Sequence, residues 1–411
     1  MIKRTIYQRV LKSIDTRPVT LITGARQVGK STICLQIAKE RNFEFVSLDD
    51  SRNLSLAKSD PAMFLQVHKP PLIIDEVQKA PELFTEIQSI VNEAKYKTGN
   101  NYGMFVLTGS ESFGLMKNVS ESMAGRVSII RVTPLSRSEI LCASEEPFSV
   151  NPLKNAEKAA KYPLNLDELL GYMTRGFYPE LYANRNIDYV SFYSDYLSTY
   201  VDRDVCSIIN IVDKLKFHRF MQYLASITGQ QLVIESICNA VEINSRTANA
   251  WLSVLEASDI IHLLQPFNSH SLTKRISKKP KIYFSDTGLV TYLVNLSNPE
   301  ALKMSPFFGA FVETYVVNEI RKSYINNGSP ASLYYYRDSN MNEIDLIIEL
   351  NGTLNLIECK SGITVNSSSV RFFSIFGELK THVINTSGVL CNSSTIYKIK
   401  DGVWAVPIAS I

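Results

Sequence analysis

The octet Gly24-Ala25-Arg26-Gln27-Val28-Gly29-Lys30-Ser31 decides how the first third of this chain folds. It matches the phosphate-loop pattern G-x-x-x-x-G-K-[ST] without deviation. Upstream, Pro18-Val19-Thr20-Leu21-Ile22-Thr23 reads as a short buried strand. Downstream, Ser31-Thr32-Ile33-Cys34-Leu35-Gln36-Ile37-Ala38 reads as a helix. A strand, a glycine-rich loop and a helix N-terminus make an anion site, because the loop amides point at phosphate and the helix dipole favours negative charge. Lys30 is expected to reach the β- and γ-phosphates of a nucleotide, and the Ser31 hydroxyl to help hold Mg²⁺. Gly24, Arg26, Gln27, Val28, Gly29 and Thr32 supply the remaining expected contacts.

A metal bound beside phosphate needs a carboxylate, and Pro71-Leu72-Ile73-Ile74-Asp75-Glu76 supplies one at the end of an apolar run. Buried parallel strands read as such runs and end at the ligand edge of the sheet. Asp75 is expected to bind Mg²⁺ through water and Glu76 to polarise the attacking water, which favours hydrolysis over nucleotide storage. A further strand, Met104-Phe105-Val106-Leu107-Thr108-Gly109-Ser110, ends in a polar cluster. Ser110 or Thr108 would sense the γ-phosphate there, or would cap a helix.

The chain has 411 residues, enough for two to four domains. It is 45% hydrophobic and 20% charged, an ordinary globular balance, and its formal net charge is +3. That charge neither requires nor excludes a nucleic-acid partner, since local patches matter more. Cys34, Cys142, Cys206, Cys238, Cys359 and Cys391 form no C-x-x-C pair, so a zinc site or disulfide framework is not expected and a reduced cytoplasm is. No apolar run reaches membrane-spanning length, and no membrane partner is expected.

Alternating strand and helix patterns continue to about residue 140, with strands at Phe43–Leu48 and Ser128–Val132, and helices at Ile2–Ile14 and from Pro81 to Glu93. Residues 144–161 read as a polar, exposed connection. Leu166 to about Val205 reads as tyrosine-rich helices forming a small lid. Helices at Leu215–Ile227, at Ile234–Val241 and from the Asn244 cap to Leu255 precede two strands, Ile260–Leu264 and Lys281–Phe284, in the layout of a winged helix. Lys274, Arg275, Lys278 and Lys279 make the intervening loop basic. Such a wing suits DNA phosphate contact; a solvated loop or an intramolecular contact is the other reading.

A second constellation lies near the C-terminus. On the helix Phe311–Lys322, Glu313 shares an apolar face with Val316, Val317 and Ile320, while Thr314, Asn318 and Arg321 fall on the other side. Glu343–Leu350 alternates as a strand, Asn351-Gly352 is a hairpin turn, and Leu354–Lys360 returns. Period two puts Glu358 and Lys360 on one face, where Asp345 of the neighbouring strand can meet Glu358. Glu313, Asp345, Glu358 and Lys360 resemble the acid, Asp and Glu-x-Lys set of the PD-(D/E)XK nuclease fold, with Ile344 where a proline is common. The resemblance implies Mg²⁺ held by Glu313, Asp345 and Glu358, with Lys360 offsetting phosphodiester charge. Two other readings stay open: a buried ion-pair network, or a nuclease fold that no longer cuts.

Over nearly its full length the chain resembles prokaryotic AAA-type ATPases that carry a C-terminal domain of uncharacterised function. The resemblance lies in Leu21–Thr32, in Ile73-Ile74-Asp75-Glu76-Val77-Gln78-Lys79-Ala80-Pro81 and in Leu107–Ser110. It extends to Ala124-Gly125-Arg126, Arg175-Gly176-Phe177-Tyr178-Pro179-Glu180 and Lys281–Leu289. It implies ATP binding and hydrolysis, and an α/β architecture in four parts. These are a P-loop AAA-type parallel-sheet core (1–140), a helical lid (141–210), a winged helix (211–290) and an α/β nuclease-like domain (291–411). It also makes Arg126 a candidate arginine finger, a role usually filled from a neighbouring subunit and so implying a homo-oligomer; a surface arginine at a strand start is the plainer reading. Three functions compete: an ATP-driven protein that acts on DNA, an ATP-controlled switch with a non-cutting nuclease-like domain, and a remodeller of protein complexes.

Overall fold

Strands buried on both faces organise the first part of the chain. In the computed structural model, which describes residues 2–109, 123–205, 213–268, 278–378 and 382–411, the chain divides into two units. One comprises Met1–Leu135 with Ala257–Asp259, the other Ser136–Glu256 with Ile260–Ile411. The first holds a five-stranded sheet in the order β2-β3-β4-β1-β5. Its strands are β1 (Val19–Thr23), β2 (Glu44–Ser47), β3 (Leu72–Asp75), β4 (Phe105–Thr108) and β5 (Val127–Arg131). Every pairing is parallel. β1, β3 and β4 are buried at every position, as the apolar runs require for strands covered on both faces. Because they run the same way, their C-terminal ends present residues 24–29, Glu76 and Gly109 along one edge.

The second unit carries a nine-stranded mixed sheet in the order β13-β14-β12-β10-β9-β8-β6-β7, with β11 beside β10. The hairpin of β6 (Ile261–Pro266) and β7 (Lys281–Phe284) is antiparallel. It follows helices at Lys214–Ser226, Ile234–Val241 and Ser245–Ala257, the last capped by Asn244 through Thr247 N–H at 2.8 Å. β6 also pairs in parallel with β8 (Ser332–Arg337) at Gln265–Tyr334. The hairpin is thus the edge of the C-terminal sheet, a continuity that local sequence does not announce. β9 (Glu343–Leu350) and β10 (Thr353–Cys359) form the expected hairpin, with Asn351 and Gly352 at φ 53° and 77°. β12 (Ser387–Cys391), β13 (Tyr397–Lys400) and β14 (Val403–Pro407) complete the sheet beyond β11 (Val383–Ile384).

Two expectations need correction. The stretch 144–161 is not a bare connection: Asn151 caps a helix at Pro152–Lys161 through Lys154 N–H at 3.1 Å. Just before it, Arg137 is buried, its guanidinium donating to the carbonyls of Ala409, Tyr162 and Pro163. The helix around Glu313 runs longer, Phe308–Asn327, and is covered opposite Glu313 as well: Thr314 and Asn318 are buried like Val316 and Val317, and Arg321 is half-buried. Asn318 instead donates its amide N–H to the Phe284 carbonyl at 2.8 Å inside the unit.

Candidate nucleotide site and a C-terminal carboxylate cluster

The loop after β1 is shaped by three residues at positive φ: Gly24 (145°), Gln27 (62°) and Gly29 (94°). A Cβ on Gly24 would lie 2.2 Å from the Val132 carbonyl oxygen, so no side chain fits there. Gly29 turns the chain directly into the helix Lys30–Arg41, whose free N–H groups and dipole face the loop. Buried Lys30 donates to the carbonyls of Gly24 (3.0 Å) and Ala25 (2.7 Å). Burial lowers its pKa, against the opposing fields of Glu76 and Asp75.

Opposite the loop, the Ser31 hydroxyl lies 3.1 Å from both oxygens of Asp75. These are oxygen donors of the kind Mg²⁺ takes, so the pair fits that ion. Buried Thr108 donates to Asp75 and accepts from the Glu76 N–H at 3.1 Å. Thr108 therefore positions both acids, a more specific place than its strand-end position foretells. Glu76 stands in a left-handed conformation (φ 61°) and accepts from Gln78 Nε2. Gln78 was not singled out by sequence, although it lies two residues past the acid.

Arg4 is another residue without a sequence signal. It is buried and bridges the Val28 carbonyl to the Thr133 carbonyl, each at 2.7 Å. Arg4→Ala is expected to weaken nucleotide binding about tenfold, since hydrogen bonds from a charged donor contribute about 1.5–3 kcal/mol. Titration with a fluorescent nucleotide checks this, and an unchanged affinity would detach Arg4 from the loop's rigidity.

Arg126 sits elsewhere. β1 and β5 run in register from Val19–Val127 to Thr23–Arg131, so Arg126 lies at the N-terminal edge of the sheet, roughly 16 Å from the loop at about 3.3 Å per residue. It donates to Asn92 (2.8 Å) and the Ala124 carbonyl (3.2 Å). It does not reach the phosphate loop of its own chain. Ser110, Lys274 and Arg275 lie outside the described residues. Lys278 and Lys279 are exposed.

In the second unit the structure gathers Glu313, Asp345, Glu358 and Lys360, and adds Lys281, Tyr283, Glu343 and Arg337. Lys281 Nζ lies 2.8 Å from Glu313, 2.5 Å from Glu343 and 3.7 Å from Asp345. Tyr283 donates to Glu313 at 2.6 Å, and the Cys359 N–H to Asp345 at 2.8 Å. Lys360 pairs with Glu358 at 2.7 Å, and Arg337 with Glu343 at 2.9 Å. Burial pushes Glu313 up to about 7 despite Lys281. Burial, reinforced by Asp345, pushes Glu358 up to about 8. Burial alone would lower Lys281, but Glu313, Tyr283, Asp345 and Glu343 together raise it. By sequence Lys281 is only the first residue of β7, and it was not among the candidate site residues.

Comparison with known proteins fits the first unit and leaves the second open. Residues 16–141 match the family model described as an AAA domain. Residues 166–300 and 308–411 match models described as domains of unknown function (DUF8612 and DUF4143). Uncharacterised proteins of Mycobacterium bovis and Mycobacterium tuberculosis are each 27% identical over 353 residues, spanning 85% of this chain and 72% of the relative. A Walker-type ATPase of Pyrococcus abyssi is 15% identical with a TM-score of 0.42, covering 71% of this chain and 96% of that one. The AAA match and the parallel sheet with its phosphate loop give the first unit the fold of an AAA-type P-loop ATPase, with a nucleotide site. Among the described residues no helix is long and apolar enough to cross a membrane.

Proposed function

We propose that this chain is a Mg²⁺-dependent ATPase whose nucleotide state governs an action on DNA. The observation that carries the proposal is the single edge on which Lys30, Ser31, Asp75, Glu76 and Thr108 meet. Lys30 exchanges its loop carbonyls for β- and γ-phosphate oxygens. Ser31 and Asp75 hold Mg²⁺, which supplies charge neutralisation at the phosphates. Glu76, steadied by Gln78, orients and polarises the attacking water. Arg126, remote from its own loop, serves a neighbouring subunit's nucleotide, so the working form is a homo-oligomer.

DNA is the partner favoured by the three helices and hairpin at 214–284, taken as a winged helix. Arg246 and Asn249 are exposed on its third helix, and Lys278 and Lys279 on the wing. Phosphate contact suits those cations, and a helix bearing Arg and Asn suits base edges. The division into core, lid, winged helix and nuclease-like domain is part of the same proposal, as is a cytoplasmic setting. A second reading, a switch whose nuclease-like domain does not cut, is favoured by the Lys281 ammonium among its carboxylates.

Glu76→Gln provides the test. The variant is expected to bind ATP normally yet turn it over roughly 10²–10⁴-fold more slowly, as loss of a general base does. Trapped with ATP, it should hold duplex DNA with an affinity that falls steeply with salt. Turnover at the native rate would refute the role of Glu76. DNA affinity absent in every nucleotide state would leave an ATPase acting on another partner.

A further inference from the structure

We infer that the Lys281 ammonium takes the place of the divalent cation in the C-terminal carboxylate cluster, making it a closed ion-pair centre that ties the β6–β7 hairpin to the C-terminal helix and sheet. The inference rests on the nuclease-like reading of Glu313, Asp345, Glu358 and Lys360. The arrangement those residues resemble holds Mg²⁺; the groups present here do not fit the ion.

Position is the first reason. Lys281 reaches the helix acid Glu313 (2.8 Å) and two acids of β9, Glu343 (2.5 Å) and Asp345 (3.7 Å), so it sits among the side chains that would have to share a metal. Its side chain is 2% exposed. Nor is it a loose end that swings aside. Its backbone pairs with Leu264 in the hairpin and bridges Gln231, and its ammonium lies 5.5 Å from the centre of the Tyr335 ring.

Prior commitment of the acids is the second reason. Tyr283 donates to the same Glu313 oxygen that Lys281 holds. The second Asp345 oxygen accepts the Cys359 N–H. Glu358 is held by Lys360 and Glu343 by Arg337. Three cations thus already stand among four carboxyl groups before any metal arrives. A divalent ion would have to enter beside a buried ammonium a few ångströms away, where like charges repel strongly, or displace it and strand its charge in the interior. Among the described residues, no group of three His, Cys, Asp or Glu side chains is arranged to hold a metal ion.

The consequence is an assembly role. A cluster that binds metal is stabilised by Mg²⁺, whereas this one is complete when the hairpin strand delivers its lysine. Truncating Lys281 should recreate the missing cation site.

Mn²⁺ binding to the full-length, nucleotide-free chain, followed by the loss of the free-ion electron paramagnetic signal, tests this directly. Any Mn²⁺ held at the phosphate loop is subtracted with Asp345→Asn, which touches only the C-terminal cluster. The native chain and Asp345→Asn are expected to give superimposable titrations. Lys281→Ala is expected to gain one site at least tenfold tighter than any in the native chain, and Lys281→Ala with Asp345→Asn to lose it again. An Asp345-dependent Mn²⁺ site in the native chain overturns the inference while strengthening the nuclease-like reading. A folded Lys281→Ala that gains no site overturns the nuclease-like reading, and the inference with it. Should Lys281→Ala not fold, the native titration decides alone: superimposable curves uphold the built-in cation, and divergent ones end it.

Discussion

Lys30→Ala is expected to cut ATP turnover by roughly 10²–10³-fold, the usual cost of removing one group that stabilises charge in the transition state. The fold should survive. Lys30 is buried, and its ammonium is bound to the Gly24 and Ala25 carbonyls of the loop. Burial disfavours that charge, so alanine removes an expense along with two hydrogen bonds, and the two effects roughly offset. The variant should therefore melt near the native temperature without nucleotide. It should differ with nucleotide present: a ligand at a hundred times its dissociation constant stabilises by about 2.7 kcal/mol, and that upward shift should vanish. Phosphate release and thermal melts, each with and without MgATP, decide the matter. Turnover that persists would mean that residues 24–31 are a structural turn.

What the sequence disclosed follows from how local each interaction is. The phosphate loop was legible because its parts are contiguous: strand, two glycines, lysine, serine, helix. Asp75 and Glu76 were legible as acids closing an apolar run. Thr108 was read as a sensor or a cap, but its hydrogen bonds to both acids depend on β3 and β4 being neighbours, which no local pattern states. Arg4 and Arg137 carry no signal in the sequence, yet both are buried by carbonyls supplied from distant segments. The same limit hid Lys281. In sequence it is only the first residue of a strand, whereas its partners lie on a helix and a strand far along the chain. The sequence puts Thr314 and Asn318 opposite the apolar face of the Glu313 helix, and says nothing of the neighbours that bury that side as well. Threonine and asparagine look polar in sequence, yet their donor groups are taken up inside the unit by the Ala310 and Phe284 carbonyls. Charged and polar side chains carry little periodic signal once tertiary partners take them up.

Gly176→Ala is the substitution expected to damage the second unit most. Two family-like motifs, Arg175–Glu180 and Lys281–Leu289, are joined there by one carboxylate. Asp286 accepts from the Phe177 N–H (2.6 Å), the Tyr193 hydroxyl (2.7 Å) and the Leu289 N–H (3.0 Å). Gly176 ends the helix Leu166–Arg175 at φ 75° and ψ −165°, a conformation essentially confined to glycine that costs other residues about 1–3 kcal/mol. Its Cβ would also stand 1.9 Å from the Tyr193 hydroxyl and 2.5 Å from an Asp286 oxygen. Neither can retreat without abandoning a buried hydrogen bond, which costs about 1–3 kcal/mol more. The sum, about 2–6 kcal/mol, is a large fraction of a domain's whole stability. Gly352→Ala is the internal control. It also has positive φ (77°), but nothing lies within 4 Å of the added carbon, so it should cost only about 1 kcal/mol. Both tryptophans, Trp251 and Trp404, lie in the second unit, so their fluorescence during urea unfolding reports that unit alone. Gly176→Ala should lose the cooperative transition or shift it far toward zero denaturant, while still binding nucleotide through the first unit. Midpoints that move equally for the two variants would show that backbone strain, and not the crowded oxygens around Asp286, sets the penalty, and would remove that carboxylate from its place as the staple of the second unit.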